Sequence, residues 1–131
     1  MDVKPRHSDH NLTNLHLIIV EDDFVVAQSL SDLLEAFGAK DVEMASNIDQ
    51  AIDKINKQRF DIAILDVNLL GGSVEPVALR LKEQGVPFLF VTGYASQDML
   101  PASMQDHAVL LKPVNPEEML TMITKLVGIE Q

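Results

Sequence analysis

The chain has 131 residues, 47% of them hydrophobic, with one Tyr, five Phe and no Trp or Cys; this gives room for one domain with an aliphatic core and excludes disulfide and thiol chemistry. Twenty acidic residues against ten basic leave a net charge of -10, which argues against nucleic acid or an anionic membrane as a partner, because phosphate surfaces recruit clustered Lys and Arg. No apolar run approaches the ~18 residues of a membrane span, and the absence of Cys fits a reducing, cytoplasmic setting.

Residues 1–14, MDVKPRHSDHNLTN, read as a flexible polar leader without the apolar core of a signal peptide, and residues 15–131 as the domain. His16 to Val20 (HLIIV) reads as a strand covered on both faces, and it stops at Glu21, Asp22 and Asp23. From Phe24 to Phe37, apolar Val26, Leu30, Leu33, Leu34 and Phe37 form a helical stripe with Gly38 as its stop. Asp41 to Ala45 is a second strand, and Ile48, Ala51, Ile52 and Ile55 mark a second helix with Ser46 as the expected cap. Ile62, Ala63, Ile64 and Leu65 show no polar alternation, so they predict a buried strand that delivers Asp66 to its carboxyl end. Gly71 and Gly72 permit a tight loop before a third helix, Val74 to Gln84, stopped by Gly85. Phe88 to Val91 is the fourth strand, ending in Thr92 and Gly93, and a short helix is expected around residues 96–103 despite Pro101. Ala108 to Leu111 is the fifth strand, followed by Lys112 and Pro113. Asn115, Pro116 and Glu118 are the opening of a last helix whose apolar face is Met119, Leu120, Ile123, Leu126 and Val127. His7, His10, His16 and His107 read as solvated.

Strands alternating with helices over short connections predict an α/β fold, a flavodoxin-like (βα)5 doubly wound parallel sheet of order 2-1-3-4-5. Its switch point lies between the first and third strands, where Glu21, Asp22 and Asp66 converge. Each residue past a strand end has a plain alternative: Asp66 as a loop cap, the acids as helix-dipole partners, Thr92 as a satisfied hydroxyl, Lys112 as a solvated cation. Together they are more specific. Two like charges about 4 Å apart repel by roughly 4 kcal/mol at an effective dielectric near 20, so a clustered acidic set calls for a cation. All-oxygen ligands suit Mg²⁺, while zinc lacks Cys and clustered His ligands. With Lys112 and Thr92 to hold phosphoryl oxygens, the set meets the needs of aspartyl-phosphate chemistry, with the Asp66 carboxylate as nucleophile.

The segments LIIVEDD, DIAILDVNL, FVTGY and LLKPV, in this order and spacing, resemble the receiver domain of bacterial two-component response regulators. The resemblance covers residues 15 to about 128. It implies phosphorylation of Asp66 by a sensor histidine kinase or histidine phosphotransfer protein. It also implies Mg²⁺ held by Glu21, Asp22, Asp66 and the backbone carbonyl of Asn68, signal sensing by Thr92 and Lys112, and a cis bond between Lys112 and Pro113. Asn68 and Tyr94, two residues beyond Asp66 and Thr92, are the implied tuning positions for water access. A downstream protein target, a phosphorylation-dependent dimer, or a role as phosphate shuttle or sink belong to the same implication, with the phosphate-sensitive face around the fourth strand, short helix, fifth strand and last helix. The chain is then not an enzyme beyond self-phosphotransfer and autodephosphorylation.

Three departures stand out. Val109 replaces the aromatic that receivers commonly carry three residues before the lysine, and Leu70 replaces a proline four residues after the phosphorylated Asp. Phe90 to Tyr94 resembles the FAT GUY subgroup of small receivers, which implies a kinase of the HWE or related type and Tyr94 in the aromatic role. The rival of another class is a receiver-shaped interaction module that works without phosphate. A haloacid dehalogenase phosphatase fits poorly because Asn68 stands where its second Asp is required, and a flavodoxin fits poorly because Glu21 to Asp23 repel a cofactor phosphate.

Overall fold

Aliphatic runs bounded by polar residues become the strands of one parallel sheet. The structure, a computed structural model, describes residues 12–69, 72–93 and 107–128. Its elements are β1 (His16–Val20), α1 (Phe24–Ala36), β2 (Asp41–Ala45), α2 (Ile48–Lys57), β3 (Ile62–Asp66), β4 (Asn68–Leu69), β5 (Gly72–Ser73), α3 (Glu75–Gln84), β6 (Phe88–Thr92), β7 (Val109–Leu111) and α4 (Pro116–Val127). The main sheet runs β2-β1-β3-β6-β7, all parallel, which is the expected 2-1-3-4-5 order. No helix among the described residues is long and apolar enough to cross a membrane.

Side chains alternate across a strand, and here both sets are covered. Ile18, Val20, Ala63, Leu65, Phe88 and Phe90 pack with Ala51 and Ile55 of α2 and Val77, Ala78 and Leu81 of α3. Leu17, Ile19, Ile62, Ile64, Leu89 and Val91 pack on the other face with Ala27, Leu30 and Leu34 of α1 and Met119 and Ile123 of α4. Burial on both sides explains why β3 and β6 carry no polar alternation.

The structure corrects several local expectations. Asn47, not Ser46, caps α2: its Oδ1 accepts from the Gln50 amide, while Ser46 bonds to the Gln50 side chain instead. Both residues are good caps, and the one-residue shift lies within the ambiguity of adjacent polar residues. The loop expected after Asp66 contains a two-stranded antiparallel pair, Asn68 opposite Ser73 and Leu69 opposite Gly72. Gly72, at φ 141, takes a conformation closed to most side chains. Leu12, placed in the leader by its polar neighbours, is fully buried against the α1 face. His16 and His107 are not simply solvated: His16 packs on Phe60 at 4.3 Å, and His107 stacks on Phe88 at 4.6 Å. Tyr94, Leu70, Gly71, His7, His10 and the short helix expected around residues 96–103 lie outside the described residues.

Candidate functional site

Register places the site. Val20 pairs with Leu65, so Glu21, the next residue, comes beside Asp66 at the carboxyl end of β3. Asp66 pairs with Val91, which sets Thr92 one step beyond it, and Thr92 pairs with Leu111, the residue before Lys112. The Lys112 amide donates to the Thr92 carbonyl at 2.9 Å. Four strands, separated by up to 91 residues of chain, thus converge at one edge, the location where open parallel sheets bind ligands.

The side chains converge as well. Carboxylate oxygens of Glu21, Asp22 and Asp66 all lie within 4.8 Å of one another. The Lys112 ammonium reaches Glu21 Oε1 at 3.2 Å and Asp66 Oδ1 at 3.6 Å, and the Lys112–Pro113 bond is cis. Glu21 and Asp66 are only 3% and 6% exposed, so their charge is poorly screened. Burial, reinforced by the Asp66 charge, pushes the Glu21 carboxyl up to about 7 against the bonds from the Asp23 amide and Lys112. Among the described residues, Lys112 is the cation within ion-pair distance of Glu21 and Asp66. The donor set is all oxygen, with no His or Cys in it, and it fits a hard divalent cation such as Mg²⁺.

Of the remaining predicted residues, Asn68, Thr92 and Asp23 are among those described. The Asn68 amide donates to Asp66 Oδ1 at 3.3 Å. Thr92 is fully buried, and its hydroxyl donates to the Gly93 carbonyl at 3.2 Å. Asp23 has the plainer role: its Oδ1 accepts from the Val25 and Val26 amides and caps α1.

One feature of the site escaped the sequence pattern. Val25, Val26, Leu30, Leu33, Val91, Lys112, Pro113 and Val114 are among the residues lining an apolar groove of about 340 Å³ between α1 and the β7–α4 connection. Phe24 and Val25 beside the acidic turn are 69% and 73% exposed. The signal available was the apolar run Phe24-Val25-Val26 directly after three acids, of which only Val26 belongs to the helical stripe.

Comparison with known proteins accords with this geometry. The family model described as the response regulator receiver domain matches residues 17–124. The sensory transduction protein LytT of Bacillus subtilis is 28% identical over 114 residues, covering 85% of this chain and 47% of LytT; the chain thus spans about half the length of that curated relative. The solution structure of SdrG from Sphingomonas melonis Fr1 superposes with a TM-score of 0.77 at 32% identity, covering 86% of this chain and 96% of SdrG. The BeF3-activated conformation of SdrG, from Pseudomonas melonis Fr1, gives 0.72 at 32% identity, covering 91% of this chain and 98% of that one.

Proposed function

The chain belongs to the response regulator receiver domain family, whose members are signalling modules, and from that premise we propose that it is a phosphoacceptor switch with Asp66 as the phosphorylated residue. The observation that carries the reading is the meeting of three carboxylates within 4.8 Å with a lysine 3.6 Å from Asp66. An Asp66 carboxylate oxygen attacks the phosphorus of a phosphohistidine on a sensor kinase or phosphotransfer protein. The new O–P bond forms as the P–N bond breaks, and the imidazole leaves with the electron pair. Lys112 pairs with a phosphoryl oxygen, and Thr92, once its hydroxyl leaves Gly93, bonds another. Glu21, Asp22, Asp66 and the Asn68 carbonyl would hold Mg²⁺, which would neutralise charge on the transferring group. Asn68 stands beside the nucleophile, where its side chain tunes the approach of water.

The apolar groove along α1 borders Lys112 and gives the donor protein a seat beside the nucleophile. Phosphorylation then alters contacts with a downstream protein, or Asp66 passes the phosphoryl group on. Incubation with acetyl phosphate and Mg²⁺ tests the reading by intact mass: wild type gains one phosphoryl group and Asp66→Asn gains none. An unmodified wild type, or a gain that survives in Asp66→Asn, overturns it in favour of a phosphate-independent interaction module. Val25→Asp slows transfer from a phosphorylated kinase and leaves labelling by acetyl phosphate unchanged; equal effects on both would remove the groove from the account. SdrG has a BeF3-activated conformation, which recommends beryllofluoride as the phosphoryl mimic for mapping the responsive face by hydrogen exchange.

A further inference from the structure

At the amino-terminal edge of the same sheet, remote from the acidic site, His16 sits in an environment with unusual donor requirements. Its Nδ1 lies 2.9 Å from the Arg59 carbonyl oxygen, and its Nε2 lies 2.8 Å from Glu43 Oε2. A carbonyl oxygen only accepts, so Nδ1 must carry a proton. Glu43 is a carboxylate held below its usual range: burial opposes this, but bonds from His16, Lys54 and Gln58 outweigh it. It too only accepts, so Nε2 must carry a proton. A ring with two donors is an imidazolium.

The surroundings favour that charge. Asp41 Oδ1 on β2 stands 3.7 Å from Nε2, and the ring lies over buried Phe60 at 4.3 Å, within the range of cation–π attraction. Lys54 of α2 and Gln58 both donate to Glu43 Oε1, at 3.1 and 3.0 Å, which fixes the carboxylate with Oε2 left for His16. The His16 amide donates to Asp61 Oδ2 at 2.7 Å, and the Asp61 amide donates back to the His16 carbonyl at 2.7 Å. Arg59 turns its guanidinium away, to the Gln84 carbonyl at 3.1 Å. Among the described residues these are the charged groups around the ring. One residue therefore ties β1 to β2, to the turn after α2 and to the residue that precedes β3.

We propose that His16 is an imidazolium clamp at neutral pH, whose proton joins β1, β2 and the α2–β3 connection and makes the amino-terminal edge of the sheet open as pH rises. Burial disfavours the charged ring, but the hydrogen bonds to Glu43 and Arg59 and the charges of Asp41 and Glu43 outweigh it, and the ring titrates above its ordinary value of 6.5. A folded-state value raised in this way contributes stability that is fully present below the unfolded value and is lost as pH climbs through the folded one. About 16 Å of strand separates His16 from Glu21 at ~3.3 Å per residue, so the clamp works through strand register and not through contact with the acidic site.

Long-range proton–nitrogen spectra of the full chain between pH 5 and 9 test the clamp, with His16 assigned by its absence in His16→Gln. The expected result is two protonated ring nitrogens at pH 7 and a midpoint above 6.5, lowered in Glu43→Gln, which keeps the fold and removes the acceptor charge. Thermal melts then show wild type ahead of His16→Gln below pH ~6.5 and the gap closing above it. Acetyl phosphate labels Asp66 in both proteins. A ring with one unprotonated nitrogen at pH 7, or a midpoint unmoved by Glu43→Gln, overturns the proposal, and so does a melting gap that is constant with pH.

Discussion

The two ends of one parallel sheet gather charged side chains in similar numbers, yet they balance them differently. At the amino edge, Asp41 and Glu43 face His16 and Lys54, and Glu43 takes donors on both of its oxygens. At the carboxyl edge, Glu21, Asp22 and Asp66 crowd together, and Glu21 and Asp66 share the ammonium of Lys112. The carboxyls differ accordingly: the bonds from His16, Lys54 and Gln58 hold Glu43 below its usual range, while burial first and the Asp66 charge second push Glu21 up to about 7. A balanced cluster stabilises the fold. An unbalanced one, kept together by strand register, marks a place prepared for a charged ligand.

The sharpest way to break this contrast is to remove the cation that pairs with Glu21 and Asp66 at the carboxyl edge. Lys112→Met deprives a transferring phosphoryl group of its charge partner, and the labelling rate with acetyl phosphate falls by about 10- to 100-fold, as read by intact mass against time. A variant that labels at the wild-type rate would confine Lys112 to pairing with Glu21 and Asp66 and remove it from phosphoryl transfer.

Stability separates the two edges by sign. Asp66→Asn removes one of three crowded carboxylates and raises stability at pH 7.5 without Mg²⁺ by about 1 kcal/mol, measured by denaturant melts. Glu43→Gln removes the hub of the balanced cluster and lowers stability by up to about 1 kcal/mol. Its deficit is widest between pH ~4.5 and ~6.5, because the depressed Glu43 contributes above its unfolded value and the raised His16 below its own. Shifts of the same sign at both edges would erase the distinction.

Much of this arrangement was legible in the residues because it depends on one-dimensional pattern. Unalternated aliphatic runs in Ile62 to Leu65 and Phe88 to Val91 announced strands covered on both faces, and the acids, threonine and lysine directly after four strands announced a shared edge. What escaped depends on long-range pairing. His16 looked solvated because its partners Glu43 and Arg59 lie 27 and 43 residues away. The β4–β5 pair was hidden because two-residue strands carry no periodicity. The α1 groove was hidden because its floor combines Leu30 and Leu33 with Val91, Pro113 and Val114 from the other end of the chain. Ser46 and Asn47 are both competent caps, and only backbone geometry chooses between them.

The most direct test of the carboxyl-edge charge imbalance is thermal melting with and without Mg²⁺ at pH 8 and pH 5.5. Glu21, with its folded value raised to about 7, makes the metal-free protein lose stability as pH rises from ~4.5 through that value. Mg²⁺ should restore it at pH 8, by about 2 kcal/mol at thirtyfold excess over its dissociation constant, and should do little at pH 5.5 where Glu21 holds its proton. An unchanged melt at pH 8, or an equal shift in Asp66→Asn, would contradict the assignment of these carboxylates to a cation and of Asp66 to the phosphoryl group.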